Sequence, residues 1–265
     1  MSSLVYLYGF VPSGSALPAA GLAGIADTVV ELLPQDGFDA VVSRVASADF
    51  EPGALDEHTR DLAWVGAHGV AHEAVVAWFV DHGQILPVPV LTLFSAQEAL
   101  AAYVTGRAGW ISAMLRQFAG LREWDLKVTC TEAELAAHAG ELSPDVADLD
   151  TRIAQASPGT RFLLERKRTE LVHDEVRRLA TRIGDGLAQQ AADIAERVKR
   201  LPLARTDEAT TVVLNAAVLV RSEREPELRS ALSAAAAGLD SLGVTIQLSG
   251  PWAPYRFVAE EEPVV

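Results

Sequence analysis

Three observations predict an α+β fold built as two domains. The chain has 265 residues, beyond the roughly 100–150 of a usual single domain. Short strand-like runs alternate with helical runs in both halves. Residues 158–200 carry one helical stripe too long for a small domain to enclose. Hydrophobic residues are 49% of the chain, enough for two cores, and charged residues at 22% sit close to the globular average of about 25%.

The first half reads as a ferredoxin-like sandwich. Residues 4–10 (Leu-Val-Tyr-Leu-Tyr-Gly-Phe) form an apolar, aromatic run stopped by Pro12-Ser13-Gly14, the signature of a buried strand. Residues 28–33 and 38–45 are two further strands, and the Asp36-Gly37 pair between them favours a hairpin. Leu62, Val65, Val70, Val76, Phe79 and Val80 recur at helical spacing over 56–81, with His82-Gly83 as a stop. An extended run over 85–94 is interrupted by Pro87 and Pro89, and residues 95–119 return to helix. A hairpin and flanking strands around helices outline this sandwich over 1–119.

The second domain is expected over 120–258, with 259–265 as an acidic tail. Residues 123–130 alternate polar and apolar at period two, a half-buried strand. Thr131 and Glu134 have capping-box spacing for the helix that follows. Ser157-Pro158 opens the longest element, Ser157 as cap and Pro158 in the first helical position. Val172, Val176, Leu179, Ile183, Leu187, Ala191, Ile194, Val198 and Leu201 then share one stripe at about 3.6 residues per turn, so a helix over 158–200 is predicted. It either projects or folds back on residues 144–156 as a helical hairpin. Pairs such as Arg166/Glu170, Asp174/Arg178 and Glu196/Arg200 stand four apart on its solvent face. Gly184 and Gly186 mark a place where it can bend. Residues 210–220, 225–239 and 244–248 read as strand, Ala-rich helix and strand. No residue-level repeat links the halves.

Charge and composition narrow the chemistry. The net charge is −14, which argues against nucleic acid and anionic membranes, both of which select basic surfaces. Residues 159–200 run against that trend with 10 basic and 7 acidic residues. Cys130 is the lone cysteine, so no internal disulfide is possible. No apolar run approaches the ~18 residues of a membrane span, and a cytoplasmic location is expected. Phosphate-cradling loops and nucleophile elbows are missing, so no catalytic, cofactor or metal residues are assigned. One rival is a metal-dependent enzyme: His68 and His72 share a helical face with Glu73 beside them. The zincin pattern would need histidine where Val76 stands. A ligand-sensing regulator is a third possibility.

Gly250-Pro251-Trp252-Ala253-Pro254-Tyr255-Arg256-Phe257 places three aromatics and two prolines after the last strand. The prolines make it stiff and unfit for a sheet interior. Its rings serve either as a clasp on the chain's own core or as a partner-docking surface, and its position at the exit of the second sheet favours packing on that domain. The motif resembles the closing motif of the GvpF/GvpL family of gas vesicle accessory proteins. Five more segments are similar to family segments, in order: Tyr6-Leu7-Tyr8-Gly9, His72-Glu73, Leu86-Pro87-Val88, Glu123-Trp124-Asp125-Leu126-Lys127, and Pro158-Gly159-Thr160-Arg161-Phe162-Leu163 with Arg166. Pro89-Val90-Leu91-Thr92 departs from an Arg-Phe-Gly-Thr-like run.

The resemblance implies a ferredoxin-like N-terminal domain and a C-terminal α+β domain with a coiled-coil-like helical part. It also implies an accessory role in gas vesicle formation, as a minor vesicle component that binds the small hydrophobic shell protein, and other accessory proteins, during assembly. Tyr6, Tyr8, Trp252, Tyr255 and Phe257 are the candidate partner-contacting residues.

Overall fold

The structure, a computed structural model, describes residues 3–18, 21–50, 52–203 and 210–261. The chain divides into two compact units, Met1–Glu123 together with Pro251–Val265, and Trp124–Gly250. The closing segment from Pro251 therefore belongs with the first unit rather than with the second, where the sequence places it.

The first unit begins with β1 (Ser3–Pro12), β2 (Val30–Pro34) and β3 (Phe38–Ala46), then α1 (Ser47–Phe50), α2 (Pro52–His58) and α3 (Leu62–His82). Two short strands follow, β4 (Leu86–Pro87) and β5 (Leu93–Phe94), then α4 (Gln97–Thr105) and α5 (Ala108–Gln117). Strand order is β2-β3-β1-β4, with β5 also paired to β1. That is the split βαβ arrangement of a ferredoxin-like sheet. The β2–β3 hairpin closes over Asp36-Gly37 as expected, with Gly37 at φ 87°.

The register of β1 against β3 slips between Leu7 and Gly9. A Cβ on Gly9 would lie 2.5 Å from the Leu86 carbonyl oxygen, so only glycine lets β4 approach there. The helix expected over 56–81 is two, because Asp61 accepts a hydrogen bond from the Ala63 N–H at 2.9 Å and starts α3 afresh. The helix expected over 95–119 likewise divides around Gly106-Arg107 into α4 and α5. Tyr6, Tyr8, Val41, Val75, Val76 and Phe79 lie in the core between sheet and α3.

In the second unit, β6 (Leu121–Thr131) runs into α6 (Glu132–Ala137), α7 (Ala139–Leu142), α8 (Pro144–Gln155) and α9 (Pro158–Ala192). Then come β7 (Arg197–Arg200), β8 (Thr210–Arg221), α10 (Glu225–Leu239) and β9 (Val244–Trp252), with α11 (Tyr255–Glu261) closing the described chain. Strand order is β7-β8-β6-β9. Counted from β6, this is second-third-first-fourth, the order of the first sheet. The halves thus share a strand order that no sequence repeat betrays. Trp124, Leu126, Val128 and Cys130 alternate inward from β6 to meet Val172, Val176 and Leu187 of α9 and Leu228 and Leu232 of α10.

The long helix is confirmed but ends earlier than predicted, at Ala192. Arg197 to Arg200 instead pair antiparallel with Leu219 to Ala216, so Val198 continues the helical spacing only by coincidence. The ion pairs follow from that boundary. Arg166–Glu170 forms at 3.5 Å, but Glu196 meets Arg221 and Arg200 meets Asp185. Within the helix, Asp174 and Glu175 pair three residues ahead, with Arg177 and Arg178. Gly184 is explained by packing rather than by a bend, since a Cβ there would lie 2.6 Å from the Val213 carbonyl oxygen.

Neither expected side-chain cap forms. Thr131 makes no capping bond, and the Ser157 hydroxyl turns to Thr160 Oγ1 at 3.1 Å. The acidic tail begins later than residue 259, because α11 continues to Glu261.

Candidate functional site

In the first unit, residues from four of the singled-out motifs make several separate buried or half-buried hydrogen-bonded groups. Gly24 packs against the Tyr8 hydroxyl, which donates to Ser43 Oγ at 3.0 Å and accepts the Ile25 N–H at 2.8 Å. The Tyr6 hydroxyl accepts the Leu91 N–H at 2.9 Å and lies 2.8 Å from His72 Nδ1. Donation by Tyr6 to Nδ1 corresponds to the tautomer with the His72 proton on Nε2. Burial drives the His72 pKa down to about 4 and pushes the Tyr6 hydroxyl well up.

One residue on, Glu73 accepts from the Tyr255 hydroxyl at 3.2 Å. Burial raises the Glu73 carboxyl, and Tyr255 rises through its own burial and the neighbouring carboxylate. Glu123, its side chain only 2% exposed, takes both the Arg256 backbone N–H at 3.1 Å and the guanidinium at 2.6 Å. Phe257 is buried beside them, and Trp110 Nε1 donates to the Glu261 carbonyl at 2.9 Å. The closing motif is a clasp, and it closes on the first unit.

This geometry corrects the candidate surface. Tyr6, Tyr8 and Phe257 are 0%, 0% and 1% exposed, so in this fold they present no face to a partner. Trp252 and Tyr255 are half-buried. The rival metal set is not assembled either: His68 Nδ1 bonds the Trp64 carbonyl at 2.8 Å, while His72 and Glu73 are engaged as described. Among the described residues no three His, Cys, Asp or Glu side chains could together hold a metal ion. Cys130 is buried, and desolvation with Glu132 nearby pushes its thiol up, away from nucleophilic use. No helix among the described residues is long and apolar enough to cross a membrane.

What is exposed lies elsewhere. α8 and α9 pack as a helical hairpin, pinned by Arg168 on both Asp150 carboxylate oxygens. In the second turn of α9, near the end of the hairpin, Phe162 and Leu163 are 69% and 66% exposed. These belong to a motif singled out in the sequence, yet no packing within the chain requires them to be apolar.

Residues 4–259 match the profile of the family described as "Gas vesicle synthesis protein GvpL/GvpF". The chain belongs to this family. It is 28% identical to gas vesicle protein L2 of Halobacterium salinarum, over 97% of this chain and 93% of that one. It is also 28% identical to gas vesicle protein L of a Streptomyces species, over 98% and 95% respectively. The crystal structure of GvpF from Anabaena has the same fold, with a TM-score of 0.67 at 18% identity, covering 97% of this chain and 96% of that one.

Within Pro89–Thr92, Leu91 has φ +64°, a left-handed conformation that costs a non-glycine residue roughly 1–2 kcal/mol, and its N–H is the donor to the Tyr6 hydroxyl. The exposed hairpin tip is the feature that periodicity did not flag. A signal was present: nine residues separate Leu163 from Val172, two and a half turns at about 3.6 residues per turn, which sets Leu163 opposite the buried stripe.

Proposed function

We propose that this protein binds the small hydrophobic shell protein of the gas vesicle and assists its assembly as a minor, vesicle-associated component, working beside other accessory proteins. The observation that carries the reading is the hairpin tip, where Phe162 and Leu163 stand free of the core on a helix roughly 50 Å long at about 1.5 Å per residue. An exposed apolar pair near the start of a long helix suits transient capture of an apolar subunit, because its burial is left for the partner to complete. The basic residues of α9, among them Arg161, Arg166 and Lys167, surround the pair and keep the tip soluble in an otherwise acidic protein.

Replacing both tip residues with glutamine tests this. Phe162→Gln with Leu163→Gln leaves the thermal midpoint within about 2 °C of the parent, since exposed substitutions shift stability by no more than about 0.5 kcal/mol. Co-purification with co-expressed shell protein falls by at least an order of magnitude if one apolar anchor is worth about 1.5–3 kcal/mol. Undiminished co-purification by the folded variant refutes the assignment of the tip.

A further inference from the structure

A cavity of about 370 Å³ opens in the first unit between the turn at Gly24–Asp27, the end of α1 and one face of α3. Its walls are apolar: Phe50 is buried at its base, and Trp64, Ala67 and Ala71 line the α3 side, with the His68 ring stacked on Trp64 at 3.7 Å. Two carboxylates, Asp27 and Asp49, complete the lining, and no lysine or arginine contributes to it. Both carboxylates are exposed and take part in no ion pair or side-chain hydrogen bond among the described residues. Ala26 and Asp27 hold φ values of 50° and 55° at the rim, a conformation rarely kept without a surrounding constraint.

Gly24, which packs on the Tyr8 hydroxyl, also lines this cavity, whereas neither Phe162 nor Leu163 does. Its chemistry is that of a socket for a long basic side chain, whose methylene stem lies along apolar walls while its charged head reaches carboxylates. The surroundings indicate that the side chain arrives on a polypeptide. Val29, two residues after Asp27, and Val70, adjoining Ala71, are 67% and 72% exposed, and α3 has no charged residue between Leu62 and Ala71.

We propose that this cavity receives an arginine or lysine side chain of a partner polypeptide whose neighbouring residues are apolar. Charge complementarity selects the occupant: a protein of net charge −14 leaves two carboxylates unpaired beside an apolar hollow. The inference is independent of the hairpin tip, and either can fail alone.

The probe is acetyl-Leu-Ala-Arg-Ala-Leu-amide, titrated into the full-length protein and followed by tryptophan emission. The comparison peptide carries citrulline, a neutral near-isostere, in place of arginine. The arginine peptide gives a saturable change that vanishes in Trp64→Phe, and it binds about tenfold more tightly than the citrulline peptide, the increment of two carboxylate contacts. Asp27→Asn with Asp49→Asn abolishes that preference. Asparagine tolerates the left-handed backbone at position 27, and the citrulline comparison needs no variant to fold. Phe162→Gln with Leu163→Gln leaves the preference unchanged. Equal binding of the two peptides, no saturable change, or an undisturbed preference in the Asn variant each overturns the proposal.

Discussion

Acidifying the protein should weaken its first unit through His72, in an amount that the structure sets. The imidazole is 2% exposed and holds its Nδ1 as acceptor for the Tyr6 hydroxyl, whose oxygen already accepts from Leu91. Protonation would turn Nδ1 into a donor toward a hydroxyl that has itself lost its acceptor, inside a poorly solvated core. Burial lowers the folded pKa to about 4, against 6.5 in the unfolded chain. Because the folded value is the lower, this contribution is complete above pH 6.5 and is lost as pH falls toward 4.

The difference of 2.5 pH units between 6.5 and 4, at 1.36 kcal/mol per unit, amounts to roughly 3 kcal/mol, of which about 2 is gone by pH 5. Glu73 acts in the opposite sense. Its carboxyl is raised by burial, so its contribution is complete below the unfolded value and is lost as pH rises through the folded one. Total stability therefore does not isolate His72, whereas comparison with His72→Gln does: glutamine still accepts from Tyr6 and does not titrate. Urea titrations read by hydrogen-exchange pulse labelling of β1 peptides should show the parent's advantage over His72→Gln shrinking by about 2 kcal/mol between pH 7.5 and pH 5. A gap that stays constant to within about 0.5 kcal/mol would show that His72 is not held neutral by the fold, and the reasoning would fail.

Two further outcomes follow from packing. Arg256→Ala strips the cation from the buried Glu123 carboxylate and should cost about 3 kcal/mol, with the joint change of Glu123 and Arg256 to methionine costing less than the single one; urea midpoints of the three proteins decide it. Gly184→Ala and Gly186→Ala should move stability in opposite directions. At Gly184 the new methyl meets the Val213 carbonyl at 2.6 Å and overpacking costs about 1–3 kcal/mol. At Gly186 nothing lies within 4 Å and helix propensity gains roughly 0.5–1 kcal/mol. Thermal midpoints of the second unit that fall, or rise, together would contradict this reading.

Much of this protein was determined by sequence alone. The apolar run of β1, the Asp36-Gly37 hairpin, the alternation of β6 and the stripe from Val172 to Ala191 express constraints that act within a few residues, and each forms where its pattern lies. The ordered motifs likewise identified the family. Tertiary structure decided the rest. Val198 follows the helical period yet lies in β7, where pairing with Val218 of β8 brings it against the same core from a strand rather than a helix. The two sheets share one strand order without shared residues, since topology constrains burial and turn chemistry rather than identity. Glu73 meets Tyr255 across 182 residues and Glu123 meets Arg256 across 133. No local pattern encodes such partners: a buried carboxylate must find a donor somewhere, and only the packed chain determines which one is in reach. For the same reason Tyr6, Tyr8 and Phe257 became core, while Phe162 and Leu163, two apolar residues in an otherwise ordinary helix start, were left facing water.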